Sequence, residues 1–526
     1  MAQPSSSPGV ASFEGLRAWV DDPTTIPGPA PYFLAAAFAL AAIFLFQGRK
    51  SASSNIPHLN PRKLHELTDI RSKKEFLFGS RSMLSNWFRD HPDKPARVIG
   101  DAGEVTILPP HLTNEIRNDP RLSFSRWVFN TFHAHLPGFE GFREGSRESH
   151  IVQDVIVKDL TKYLNKVTEP LAEETALVVE EQYPTSSDRA WTTAPLRETL
   201  LRVVSRVSSR VFLGEELCRN RDWLRVTREY TVDGFRAADE LRLWPAPLRF
   251  LVHWFMPSCA RARADVREAR RVLNGVISKR RAQKQRGEKV EFDDAIEWFE
   301  REAKGRAYDP AVVQLTLSFA AIHTTTDLIT QVMTDLCRNP EIIDEVRQEM
   351  VQALSEGGWK KTSLYNMKLL DSVIKESLRI KPTGIVSLRR MTSAPMHFSD
   401  GTSVPANTTI AVSAQNMWNP TIYPNPEQWD GRRFLRMRET AGQENASQLV
   451  TTSPEHLGFG HGKHACPGRF FASNEAKVVL IHLLLKYDWR LPEGAPTPRV
   501  LHYGFSLRAD PTVKLEYRRR TPEIEI

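Results

Sequence analysis

The densest chemistry in this 526-residue chain lies between Leu457 and Ala472, in LGFGHGKHACPGRFFA. Cys466 sits there on a glycine-rich loop, followed by Pro467 and then by a helical run, SNEAKVVLIHLLLKY. A thiolate just before a helix amino terminus is favoured by the helix dipole and by the free N–H groups of the first turn. Gly460, Gly462 and Gly468 let the backbone approach a flat partner that a Cβ would obstruct. These residue types describe a soft metal ligand on a shaped loop. His461 and His464 suggest a second arrangement, a His/Cys zinc site, but no second cluster supplies its remaining ligands. The other cysteines, Cys218, Cys259 and Cys337, are far apart and form no C-x-x-C, which excludes a disulfide framework and a zinc ribbon.

Two more groups stand out. Glu376 and Arg379 of KESLR lie at i, i+3 in a strongly helical run; alone they make an ordinary helix ion pair worth about 0.2–0.5 kcal/mol. The run LSFAAIHTTTDLITQV, Leu317 to Val332, sets small Ala320 and Ala321 before three threonines. Alone it suits a packing surface equally well.

The loop resembles the heme-binding segment of the cytochrome P-450 superfamily, F-x-x-G-x-R-x-C-x-G, through Phe459, Gly462, Cys466 and Gly468. It departs at His464, where the family usually carries the Arg that pairs with a heme propionate. A His still donates a hydrogen bond to a carboxylate, more strongly when protonated. Glu376 and Arg379 are similar to the family's E-x-x-R pair, and Arg433 of PEQWDGRRF matches its third member. The Leu317 to Val332 run resembles the helix that crosses the distal face of the heme, A-G-x-[D/E]-T-T. The resemblance implies that Thr324 hydrogen-bonds iron-bound dioxygen and passes protons. His323 replaces the usual acid and could relay a proton, and Asp327, three residues past Thr324 on the same face, could supply the missing carboxylate. The usual W-x-x-x-R is not recognisable, and His150 and Lys158 stand in roughly its region. SLRR, Ser387 to Arg390, resembles the strand whose Arg contacts a propionate, with Arg389 slightly preferred to Arg390.

Several elements must position these residues. From about Glu148 to Glu356 apolar residues recur at helical spacing, and Ala260 to Lys289 reads as a basic amphipathic helix running into a polar loop. Its basic residues are interleaved with acids and lack aromatic partners, so nucleic acid is not an expected partner. Beyond Leu388, short β-leaning runs alternate with turns as far as Glu444. With 41% hydrophobic and 25% charged residues and a net charge of +8, the chain is neither collagen-like, nor mostly disordered, nor polytopic. No HExxH, GxSxG or phosphate-cradling loop is present.

Pro31 to Phe46 is uncharged and apolar, with Asp21 and Asp22 before it and Arg49 and Lys50 after it. That charge order keeps the body in the cytosol. The expected fold is mainly α with a smaller β portion, the cytochrome P-450 fold, preceded by one amino-terminal transmembrane helix. Its parts are a lumenal segment at 1–29, an anchor at 30–48, a basic Pro-containing hinge at 49–62 and a heme-thiolate catalytic domain at 63–526. The glycosylation patterns at Asn407 and Asn445 would stay unmodified in that orientation.

From the resemblance, the Cys466 thiolate holds heme iron as axial ligand and favours O–O cleavage, and the outcome is hydroxylation of a C–H bond. Electrons come from a separate NADPH-dependent flavoprotein reductase, since the chain carries no dinucleotide fingerprint; Lys463 is a candidate contact for this acidic partner. The expected enzyme is a monomer of the endoplasmic reticulum membrane. Phe124 to Phe142, the helix near Phe319, Thr383 to Ser387 and Gly504 to Leu507 supply a pocket for a bulky apolar molecule. The wider texture is similar to fungal biosynthetic members acting on terpenoids, meroterpenoids or indole-type metabolites. The competing readings are an isomerase or dehydratase of the same family that needs no reductase, and a non-enzymatic heme-binding membrane protein.

Overall fold

One helix, Pro310–Arg338, organises the molecule. Asp309 caps it by accepting the N–H groups of Ala311 and Val312, and Pro310 fills the first position, where no donor is needed. Its residues are apolar or small almost all round, and it is buried along nearly its whole length. That is the pattern of a helix running through a core rather than across a surface. Around it pack Leu196–Leu213, Arg221–Leu241, Pro257–Gln285 and Lys368–Ile380, while Arg469–Lys486 packs against both it and Leu164–Gln182. The basic helix expected over Ala260 to Lys289 is the Pro257–Gln285 element, its charges paired with acids such as Glu268, Asp222 and Glu300.

The computed structural model describes residues 55–526 apart from 67, 148, 185–189 and 290–291. The expected lumenal segment, the anchor at 30–48 and the first part of the hinge lie outside the described residues. Among the described residues no helix is long and apolar enough to cross a membrane.

A five-stranded sheet forms the second layer, in the order Ala96–Gly100, Gly103–Leu108, Thr409–Ser413, Val386–Thr392, Leu122–Ser123. All pairs are antiparallel except Gly103–Leu108 with Thr409–Ser413. The first hairpin lies upstream of the stretch where strands were expected. Another unexpected strand, Thr192–Pro195, interrupts the helical middle and pairs with Lys514–Arg519 near the carboxyl end. Between Ser413 and Glu444 the chain forms turns, the 3-10 turn Gln415–Trp418 and one short α-helix, Arg433–Glu439, rather than further strands.

The boundary expected at residue 62 needs correction. Leu59 N–H donates to Arg97 O at 2.9 Å, Arg97 N–H to Pro57 O at 2.8 Å, and the buried Asn60 side chain brackets Ile99, accepting its N–H at 2.8 Å. Residues 55–62 therefore belong to the same compact unit as 69–526. Pro57 and Pro61 prevent a helix there but leave an extended edge that the sheet accepts.

Candidate active site

A cavity of about 1110 Å³ lies between the central helix, the Val386–Thr392 strand and the Cys466 loop. It exceeds the usual ~300–1,000 Å³ of a single-ligand pocket. Of the four cysteines, Cys218, Cys259 and Cys337 are buried away from it, and Cys466 alone lines it.

The loop is closed by its own backbone. Cys466 N–H donates to Phe459 O at 2.8 Å, Gly460 N–H to Leu457 O and Ala465 N–H to Gly462 O. Gly462 is required twice over: its φ is +75°, and a Cβ there would lie 2.5 Å from Arg117 Cβ and 2.7 Å from Arg117 O. Gly468, at the start of Arg469–Lys486, meets no protein atom where its Cβ would stand. The Cys466 thiol is pushed up by burial, while the N–H groups of Gly468 and Arg469 and the Arg469 guanidinium favour its thiolate. Arg469 also donates to Cys466 O at 2.8 Å and to Val450 O at 3.0 Å, which fixes the helix start.

His461 is spent elsewhere, with Nε2 at 2.9 Å from Arg117 and Nδ1 at 3.1 Å from Thr452 Oγ1. Among the described residues no cluster of His, Cys, Asp or Glu could hold a metal ion. The zinc arrangement thus has no ligand set there. His464 lines the cavity, its ring 5.8 Å from Phe124. Burial, Arg390, Lys463 and His150 together lower its imidazole to about 4. Every charged neighbour in that set is cationic or becomes so on protonation.

The Val386–Thr392 strand brings two guanidiniums to this rim. A strand alternates its faces, so neighbours Arg389 and Arg390 would ordinarily point apart. Here the pairing with Thr409–Ser413 skips between Ser387 and Arg390, and Leu388 takes a φ of +48°. The bulge turns both arginines to the cavity. Burial lowers both, Arg390 to about 10. Arg389 lies over the rings of Trp127 and Phe505, and Arg390 over Phe124. His150 stands near His464, whereas Lys158 points away, paired with Asp154 and Glu302.

Across the cavity, Ala320 and Thr324 are the exposed pair on an otherwise buried stretch of the central helix, and both line the space. Thr324 Oγ1 donates to Ala320 O at 2.8 Å. His323 does not reach the cavity: its Nε2 lies 3.0 Å from Arg228 O, and burial lowers its imidazole. Asp327 lines the cavity but is engaged by Lys381 Nζ and by Ala509 N–H.

Behind the Cys466 loop, Glu376, Arg379 and Arg433 form one buried network. Arg379 binds both Glu376 oxygens at 2.8 and 2.9 Å, and Arg433 Nε reaches Oε1 at 3.1 Å. The remaining guanidinium donors go to the carbonyls of Met417, Pro424, Asn425, Pro426 and Gln428.

A soft donor at a helix start, a loop kept flat by glycine and a rim of cations free of carboxylates together suit a planar dianionic metal macrocycle. A family model of cytochrome P-450 matches residues 142–515. The chain belongs to the cytochrome P-450 family. It is 48% identical to cytochrome P-450 monooxygenase hepE of Aspergillus oryzae, over 93% of this chain and 89% of that protein. It is 46% identical to cytochrome P-450 monooxygenase TRI1 of Fusarium sporotrichioides over 89% of this chain and 86% of that one. It is 50% identical to cytochrome P-450 monooxygenase 1 of Gibberella fujikuroi, over 83% of this chain and all of that protein. This P-450 is accordingly a monooxygenase that uses heme-thiolate iron and electrons supplied by a reductase.

The four segments expected to line the P-450 pocket each contribute to it, through residues such as Trp127, Phe142, Phe319, Thr383 and Ser506. Three contributors escaped the sequence. Phe235 joins Phe142 and Phe319 in an aromatic roof, with ring centroids 4.9–5.9 Å apart. The π-helical segment Val155–Leu160 supplies a wall through Ile156 and Leu160, and Lys381 supplies a charge. A phenylalanine on the polar-rich helix Arg221–Leu241 was the available signal for Phe235. A one-residue change of helical pitch leaves none.

Proposed function

We propose that this monooxygenase hydroxylates or further oxidises a bulky apolar secondary metabolite of the terpenoid, meroterpenoid or indole type, with Cys466 as the thiolate that would ligate its heme iron. The observation that carries the assignment is that Cys466 alone among the four cysteines lines the cavity, with two N–H groups directed at its sulfur. Bound heme supplies the activation of dioxygen and the transfer of one oxygen atom into a C–H bond.

The chain's own residues do the rest. Arg389, Arg390 and His464, which line the cavity, would hold the heme propionates, and the Glu376 network fixes the wall behind the Cys466 loop. Thr324 holds a hydroxyl at the cavity face of the central helix, where it takes and passes protons. His323 is bound to a backbone carbonyl and Asp327 to Lys381, so both act by fixing the helix around Thr324. The aromatic roof excludes water and selects apolar bulk.

Membrane attachment through residues 30–48 is supported by the exposed side chains of Leu243, Trp244, Phe250, Leu251, Trp254 and Phe255, large apolar groups on one short segment. The electron donor in this reading is an NADPH-dependent flavoprotein reductase at the endoplasmic reticulum membrane.

The test is co-expression of the full chain with a reductase in cells fed terpenoid and indole candidates. A product heavier by one oxygen, formed only with NADPH and dioxygen, supports the reading. Turnover that continues without the reductase favours the isomerase alternative.

A further inference from the structure

The charged side chains of the cavity fall into two sets. Arg389, Arg390, Lys463, His464 and Arg469 border the floor around Cys466. The other set is a single ion pair on the wall, Lys381 with Asp327.

Asp327 is fully used. One oxygen takes Lys381 Nζ and the other accepts Ala509 N–H at 2.9 Å, joining the central helix to the ends of Lys368–Ile380 and of the Ser506–Arg508 strand. Lys381 is not. Its ammonium carries three donors, and its only hydrogen-bond partner among the described residues is Asp327, although the residue is 1% exposed. Of the other buried lysines, Lys486 also has one partner, but that partner, Glu180 at 3.0 Å, is half-exposed; Lys375 and Lys477 behave differently. Lys375 spends its three donors on the carbonyls of Ala446, Gln448 and Thr451 at 2.9, 2.6 and 3.3 Å. Lys477 bonds Leu364 O at 2.9 Å and Asp371 at 2.6 Å. A buried ammonium with unspent donors carries a desolvation cost that an incoming acceptor relieves.

We infer that the Lys381–Asp327 pair is the oxygen-recognising wall of the substrate site, with Lys381 donating to a carbonyl or hydroxyl oxygen already present on an otherwise apolar substrate. This rests on the proposed monooxygenase reading and adds the substrate's polar handle. The pair is neutral overall, so it favours a neutral oxygen function over a carboxylate or an ammonium. Asp327 follows Thr324 by three residues, roughly 4.5 Å along the helix axis. The handle is thereby held about one helical turn from the residue assigned to proton transfer. The reaction that supplies this substrate must therefore be one that installs an oxygen on the skeleton, such as an earlier oxygenation or a cyclisation ended by water.

The test compares valencene with nootkatone, two probes that share one carbon skeleton and differ by a ketone. Each is titrated into the full-length holoenzyme while the Soret spin-state shift is followed, and every sample is first checked for its reduced carbon monoxide band. That band reports the heme-thiolate reading separately from any ketone preference. The wild type is expected to bind nootkatone about tenfold or more tightly than valencene. In the double variant Lys381→Met, Asp327→Asn, which removes both charges and keeps an acceptor for Ala509 N–H, the ratio falls to within about twofold. A wild-type ratio near one, no shift with nootkatone, or an unchanged ratio in the double variant overturns the inference. If the double variant lacks heme, the single variant Lys381→Met, which removes the donor, is read the same way: a preference at least halved supports the inference, and an unchanged one overturns it.

Discussion

Cys466 and Phe459 are clamped by one backbone hydrogen bond, with the Cys466 amide donating to the Phe459 carbonyl at 2.8 Å. The six residues between them are forced into a tight excursion, and Gly462 sits where that excursion passes against Arg117. The sulfur's position is thus set by backbone geometry on one side and by a helix start on the other.

Gly462 and Gly468 separate the demands of the loop from those of its ligand. Gly462→Ala must place a Cβ against Arg117 backbone at a positive φ, so it is expected to destabilise the apoprotein by about 1–3 kcal/mol or more. Gly468→Ala meets no protein atom and should leave apoprotein stability within about 0.5 kcal/mol. Urea unfolding of the two apoproteins checks this, and equal losses would contradict it.

The Glu376 network predicts a contrast between adjacent arginines. Arg433→Ala leaves a buried carboxylate short of a partner and is expected to cost about 3–5 kcal/mol. Arg432→Ala breaks only a half-exposed pair with Glu345 and should cost under about 1 kcal/mol. Thermal melts of both variants, with heme content measured alongside, decide the matter.

Two neighbouring threonines make a similar comparison. Thr324→Ala removes the hydroxyl that faces the cavity, so product formed per NADPH consumed should fall by about tenfold or more. Thr326 donates to Ile322 O inside the core and does not line the cavity. Thr326→Ala should lower stability yet leave that yield unchanged. Equal yields in the two variants would remove the proton role from Thr324.

A buried carboxyl sets a pH dependence. Burial pushes Glu475 up to about 8, with the Ser208 hydroxyl at 2.5 Å only partly offsetting it. The folded protein keeps a proton there that the unfolded chain releases in the ordinary carboxylate range. Glu475 therefore favours the fold most at low pH, and this contribution declines as pH rises toward about 8. Glu475→Gln should flatten the fall of unfolding free energy between about pH 5 and 8. An unaltered slope would show that the group is already ionised in the fold.

How far the sequence spoke depends on the range of the interaction. The helical spacing of LSFAAIHTTTDLITQV and the KESLR run marked helices whose burial then followed, because periodicity is local. The pairing of Thr192–Pro195 with Lys514–Arg519 links residues over three hundred positions apart and leaves no local trace. His323 shows the limit at the site. Residue type and position suggested a relay, but a helix turns its neighbours about 100° apart, and the ring faces Arg228 rather than the cavity. Arg389 and Arg390 could not be separated because the bulge at Leu388 brings both to the same rim.

The central claim is the Cys466 thiolate, and the reduced protein's carbon monoxide difference spectrum tests it most directly. The wild type is expected to show a Soret band strongly shifted to the red, and Cys466→Ala to lose that band while the Cys337→Ala variant keeps it. An unshifted band in the wild type, or a red-shifted band that survives in Cys466→Ala, would contradict the account.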